Sequence, residues 1–152
     1  MATSLIRDGV ALERLFELAL LLYDRMDRGL AERGLSRARA ELLWRLRARS
    51  PMTQRELSQE LHCTPRNVTD LVDGLEAAGL VARGPHPTDR RATLVRLTQQ
   101  GKAAAVRMQV EYQQFAAELF RDLSPAELAS FVKVVDHALG RLRASGPPAE
   151  GS

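Results

Sequence analysis

CTPRNVTDLVDGLEAAGLV, residues 63–81, carries the signals that decide the fold. Thr64 stands where an N-cap side chain accepts a free helical N–H, and Pro65 follows at the first helical position, where a missing N–H costs nothing. Cys63 and Val68 occupy the two positions of a hydrophobic staple, and Gly79 ends the helix after Ala78. Val68, Leu71, Val72 and Leu75 share one face at helical spacing, so Arg66, Asn67, Thr69, Asp70 and Asp73 must point outward. The helix hides one side and offers a polar one.

Immediately upstream, MTQREL (52–57) repeats the capping device. Thr53 caps, Glu56 reaches back to close a capping box, and Met52 and Leu57 hold the staple positions of a short helix ending near Leu61. Only His62 and Cys63 separate these two capped helices, so they cannot run in line, and the second must cross the first as a helix-turn-helix. Before them, Ser36 caps a helix that buries Leu42, Leu43 and Leu46 and stops at Ser50-Pro51. The first helix, about 9–32, has Leu12, Leu15, Phe16, Ala19, Leu22 and Met26 on a stripe that Leu18, Leu20 and Leu21 widen. That is more apolar surface than one core needs.

Downstream of Gly79 the period changes. LVAR and ATLVRL read as strands on either side of GPHPTDRRAT (84–93), which makes that loop the wing of the motif. Pro85 and Pro87 restrict its unfolded freedom, so less entropy is lost when it binds, while Arg83, His86, Arg90 and Arg91 supply cations. Asp89 is placed to hold Arg91, two residues on. A long helical pattern resumes from Thr98 through Val106, Val110, Phe115 and Leu119. Ser124-Pro125-Ala126-Glu127 then starts a last helix expected to bury Leu128, Phe131, Val132, Val135, Leu139 and Leu142. The tail at 146–152 is small and polar and is expected to be disordered.

Composition narrows the function classes. With 152 residues and 45% apolar content, the chain can bury a core without staples. Cys63 is the sole cysteine, which excludes an intrachain disulfide and makes the cytoplasm the expected compartment. LALLLY (18–23) falls far short of the roughly 20 apolar residues of a membrane span, and the N-terminus has no export pattern, so no membrane partner is expected. Three histidines, His62, His86 and His137, show no ligand spacing with one another or with Cys63, so no metal and no cofactor is expected. Neither a glycine-rich phosphate loop, nor Cys-x-x-Cys, nor a nucleophile with a readable histidine base is present, which argues against an enzyme. The net charge is only +3, but residues 36–96 hold 11 Lys and Arg against 7 Asp and Glu, while the rest holds 11 against 12. A basic centre points to a polyanion.

A helix in the major groove presents its first turns to base edges, and a hairpin beside it reaches the backbone or minor groove of double-stranded DNA. Arg66 and Asn67 are then the base readers, since arginine pairs with guanine and asparagine with adenine. Thr64 and Thr69 suit phosphates, and capping explains Thr64 equally well. The rival reading is a winged-helix module that docks protein, suggested by the acids Asp70 and Asp73 on the exposed face.

The order helix, helix, helix-turn-helix with LVDGLE, wing with Asp89-Arg90-Arg91, then L-T-x-x-G at 97–101, resembles the MarR family of winged-helix transcription regulators over nearly the whole chain. The resemblance implies a mainly α fold with a small β-hairpin wing: a winged helix-turn-helix at 36–99 and a helical dimerisation region at 1–35 and 100–145. It implies a homodimer on a pseudo-palindromic operator, more often a repressor, released by a small aromatic or anionic effector. The family's effector crevice would be lined here by Tyr23, Met26, Trp44, Met108 and Tyr112. Some members sense oxidants through cysteine, but Cys63 sits at a staple position and is read as packing. Asp70 and Gly74 depart from the family, whose members often carry basic residues there.

Overall fold

The computed structural model describes the backbone of residues 2–144 and the side chains of residues 7–144; the tail expected at 146–152 lies outside the described residues. The chain forms α1 (Ala2–Ala31), α2 (Arg37–Ala48), β1 (Met52–Thr53), α3 (Gln54–Glu60), α4 (Pro65–Ala77), β2 (Val81–Pro85), β3 (Thr93–Leu97), α5 (Gln99–Leu119) and α6 (Pro125–Ala144). It divides into two compact units whose boundary falls inside α5, between Arg107 and Met108.

Local chemistry sets the breaks in the first unit. The Ser36 hydroxyl accepts the Arg39 N–H at 3.3 Å to start α2. At α3 the capping box is complete: Thr53 Oγ1 accepts the Glu56 N–H at 3.1 Å, and Glu56 Oε2 accepts the Thr53 N–H at 2.7 Å. These bonds from the Thr53 backbone and hydroxyl, with Arg49 nearby, hold the Glu56 carboxyl below its ordinary range. The chain then turns at His62, whose φ of 49° is left-handed, and the Ser58 hydroxyl donates to the Cys63 carbonyl at 2.6 Å. Thr64 opens α4 by accepting the Asn67 N–H at 3.2 Å, and Gly79, at φ 72°, closes it.

The sheet has one strand more than the two expected. Met52 and Thr53 pair with Val95 and Leu94, so the order is β1-β3-β2, antiparallel throughout. A two-residue strand is too short to show alternation in sequence, and Met52 had an adequate explanation as a staple. β2 runs from Val81 opposite Leu97 to Pro85 opposite Thr93, and its edge position tolerates Pro85. Leu42, Leu43 and Leu46 of α2, Met52, Leu57 of α3, Val68, Val72 and Leu75 of α4, and Val95 of β3 are wholly enclosed in one core.

The L-T-x-x-G segment locks α5 to the end of α4. Thr98 Oγ1 accepts the Gly101 N–H at 3.0 Å and donates to the Gly79 carbonyl at 2.7 Å. Gly101 lies so close that a Cβ there would overlap the Leu80 carbonyl oxygen and stand 2.9 Å from its carbon. Only glycine fits this approach.

In the second unit, Ser124 and Glu127 cap α6 reciprocally: the Ser124 N–H donates to Glu127 Oε2 at 2.8 Å, and Ser124 Oγ accepts the Glu127 N–H at 3.3 Å. One expectation needs correction here. α6 has no buried residue: Leu128 and Val135 are half-covered, while Phe131, Val132, Leu139 and Leu142 are exposed. On α1, Phe16 is 63% and Leu20 69% exposed. The apolar stripes read from the sequence exist, but the single chain does not cover them.

Candidate nucleic-acid interface

The face of α4 opposite the core consists of Arg66, Asn67, Thr69, Asp70, Asp73 and Ala77, all exposed. Its buried counterpart is Val68, Val72 and Leu75, with Leu71 half-covered, so packing dictates which residues face outward. The Arg66 guanidinium has no carboxylate partner among the described residues and is available to a ligand. Asn67 borders a surface depression of about 640 Å³ that Ser58, Gln59, His62, Cys63 and Thr64 complete. Arginine and asparagine side chains in the first turn of a helix are the groups that read guanine and adenine edges.

The two threonines are more engaged than the sequence implies. Thr64 serves as the cap of α4. The Thr69 hydroxyl donates to the Pro65 carbonyl at 3.0 Å and accepts from Gln54 Nε2 at 3.1 Å, so its donor is consumed within the protein.

Arg83 differs most from its sequence reading as a free wing cation. Its side chain is 24% exposed and bonds Asp73 Oδ1 and Glu76 Oε2 at 2.5 Å each. Its Nε donates to Gln54 Oε1 at 3.2 Å, and its backbone N–H donates to Glu76 Oε1 at 3.0 Å. The bond from the Arg83 backbone, then those from its guanidinium, hold the Glu76 carboxyl below its ordinary range. Arg83 therefore joins β2, α3 and α4 and pairs with two acids of α4, offsetting one of their two charges; it brings no spare charge to the wing.

The wing's available charge lies further out. His86 Nδ1 accepts the N–H groups of Asp89 at 3.1 Å and Thr88 at 3.3 Å, which makes His86 a brace for the loop. Asp89 Oδ1 accepts the Arg91 N–H at 2.9 Å, holding that residue by its backbone and leaving the guanidinium outward. Arg90 and Arg91 are exposed and have no carboxylate partner among the described residues.

One residue escaped the sequence reading altogether. Arg39, near the start of α2, lies across Gly74 of α4: a Cβ on Gly74 would stand 2.5 Å from Arg39 Cζ and 2.6 Å from its Nε. The departure noted at Gly74 thus opens the space that the Arg39 guanidinium occupies, and the only sequence signal was the glycine itself.

The residues expected around an effector fall in both units. In the first, Arg37 stacks 4.2 Å from the centre of the Tyr23 ring while bonding Asp27 through Nη2 at 2.6 Å and Nε at 3.1 Å. Arg47 faces the Trp44 ring at 5.5 Å, and Met26 is exposed. In the second, Met108 is half-covered and Tyr112 exposed. Among the described residues no cluster of three or more His, Cys, Asp or Glu could hold a metal ion, and no helix is long and apolar enough to cross a membrane.

Comparison with known proteins agrees with this geometry. The MarR family model matches residues 35–93, which contain α2, α3, α4, β2 and the wing loop. The uncharacterized HTH-type transcriptional regulator YdgJ of Bacillus subtilis is 32% identical over 102 residues, 67% of this chain but 62% of the relative's own length. The HTH-type transcriptional repressor YetL of the same organism is 28% identical over 130 residues, covering 84% of this chain and 78% of YetL. Among solved structures, a mutant MarR from E. coli complexed with operator DNA is 28% identical with a TM-score of 0.68, over 87% of this chain and 96% of that one. These relatives are transcription regulators and not enzymes. The winged helix, the Asp89-Arg90-Arg91 wing and the matched segment place residues 35–93 in the MarR family.

Proposed function

We propose that the chain is a transcription regulator that binds double-stranded DNA as a homodimer, acts as a repressor on a pseudo-palindromic operator, and is released by a small aromatic or anionic ligand. The observation that carries the DNA reading is that two exposed elements of one unit each present cations free of carboxylate partners. α4 presents Arg66 and Asn67 without carboxylate partners, and the wing presents Arg90 and Arg91 likewise. The E. coli MarR mutant, similar over most of both chains, is solved on operator DNA. YetL, named a repressor, supports the direction of regulation.

The homodimer rests on surface chemistry. α1 and α6 each leave large apolar side chains in water, with Leu20 69%, Val134 67% and Leu142 71% exposed, and such patches mark an interface. A dyad between two chains would set their recognition helices about 34 Å apart on one face of the duplex. The effector reading is tested by calorimetry with aromatic acids on the wild type and on Trp44→Ala.

The division of labour between helix and wing tests the DNA reading. Arg66→Ala should relax sequence preference, because it removes a base reader. Arg91→Ala should weaken binding to all sequences and lower the salt dependence, because it removes a phosphate contact. If Arg91→Ala left affinity and salt slope unchanged, the wing would not touch DNA.

A further inference from the structure

Resting on the DNA-binding reading, we propose that Arg39 of α2 is a further nucleic-acid contact, binding a backbone phosphate at the edge of the groove that α4 enters. The charge of α4 poses the problem. Its exposed surface carries Arg66 against Asp70, Asp73 and Glu76, a net acidic helix that phosphate would repel. Arg83 pairs with both Asp73 and Glu76 from one flank and offsets one of their two charges. Asp70 remains without an ion-pair partner among the described residues.

Arg39 approaches from the opposite flank. Asn67, Asp70 and Gly74 follow one another at spacings of three and four residues, so they form one row along the helix. The guanidinium of Arg39 fills the space that a side chain at Gly74 would take. It is partly exposed and has no carboxylate partner among the described residues, unlike Arg37 of the same helix, which is held by Asp27. A cation therefore stands at the end of the row that begins with a base reader. Gly74 lies about 10 Å along the axis from Asn67 at 1.5 Å per residue, beyond the first turns that read bases and near the phosphates that border a groove about 12 Å wide. An arginine reaching past a glycine there supplies charge where the helix has none of its own.

The test uses the full chain and two duplexes, one selected from a random-sequence pool by the wild type and one unrelated. Binding is measured at several salt concentrations for the wild type, Arg39→Gln, Gly74→Ala and the double variant, with thermal melting run alongside to confirm folding. Removal of one phosphate contact lowers the slope of log affinity against log salt by about 0.9 for each chain bound. Arg39→Gln is expected to show that loss on both duplexes while keeping the preference between them. Gly74→Ala, which obliges the guanidinium to shift, should lose no more than Arg39→Gln, and the double variant should be no worse than Arg39→Gln. A wild type that binds with a steep slope while Arg39→Gln keeps that slope would overturn the Arg39 contact and leave the DNA reading intact. Additive losses in the double variant would also overturn it. A wild type that enriches no duplex from the random pool and does not bind the unrelated one would defeat the DNA reading itself.

Discussion

Arg83 Nη2 lies 2.5 Å from Asp73 Oδ1, an ion pair that ties the first strand of the wing to the recognition helix. The same guanidinium bonds Glu76, and its Nε reaches Gln54 of α3, so β2, α3 and α4 share one donor fork. Arg83→Ala leaves Asp73 and Glu76 without their shared cation and frees β2 from the helix. Folding stability should fall by about 1 kcal/mol, a charge-assisted bond discounted for the exposure of its partners. Affinity for DNA should fall on every sequence tested, read by titration on selected and unrelated duplexes. Arg83→Lys, which keeps the charge but not the fork, should recover only part of it.

Acid should loosen the same joint. Glu76, Glu56 and Glu127 all have carboxyl groups held below their ordinary value near 4.5. The unfolded chain therefore takes up protons at a higher pH than the folded one, and stability rises with pH through that interval. It is fully present above about pH 5 and lost as pH falls through the folded-state values. Urea unfolding at a series of pH values should show the decline, and Glu76→Gln should make it shallower. An unchanged profile in Glu76→Gln would remove Glu76 from the set.

Gly101→Ala tests the tight approach at the start of α5. A methyl group there collides with backbone at Leu80, which cannot rotate away as a side chain could. The substitution should cost about 2–3 kcal/mol by overpacking, seen as a lower urea midpoint at unchanged m-value. At Gly9, with nothing within 4 Å of a built Cβ, the same change should not destabilise the fold.

Leu20→Glu separates a covered helix from a bare one. Leu20 is 69% exposed in the single chain, so a chain that stays alone should accept glutamate with little effect. In the homodimer proposed above, the charge enters an apolar interface, and light scattering should report monomers where the wild type gives dimers. Dimers from both proteins would place the interface away from Leu20.

The winged helix-turn-helix was legible because its signals are local. Thr53 with Glu56, Thr64 with Pro65, and Gly79 each act within a few residues of where they stand, and the structure uses all of them at those places. The chemistry of Arg83 was not legible, since its partners Glu76, Asp73 and Gln54 stand 7, 10 and 29 residues away and only folding joins them. Arg39 was missed for the same reason, and Met52 because a two-residue strand has no period to detect. The stripes of α1 and α6 were read correctly as apolar; burial was the wrong inference for α6, because a helical period gives a face and not the surface that covers it.

The most direct test of DNA recognition is a binding titration of the purified chain against the DNA upstream of its own gene, repeated across salt concentrations with an unrelated duplex as control. Tight binding that falls steeply and linearly with log salt, and exceeds binding to the control by about 1,000-fold or more, is the predicted result. Weak binding, equal on the upstream DNA, on the control and on duplexes drawn from a random pool, would contradict the account and favour a winged helix that docks protein.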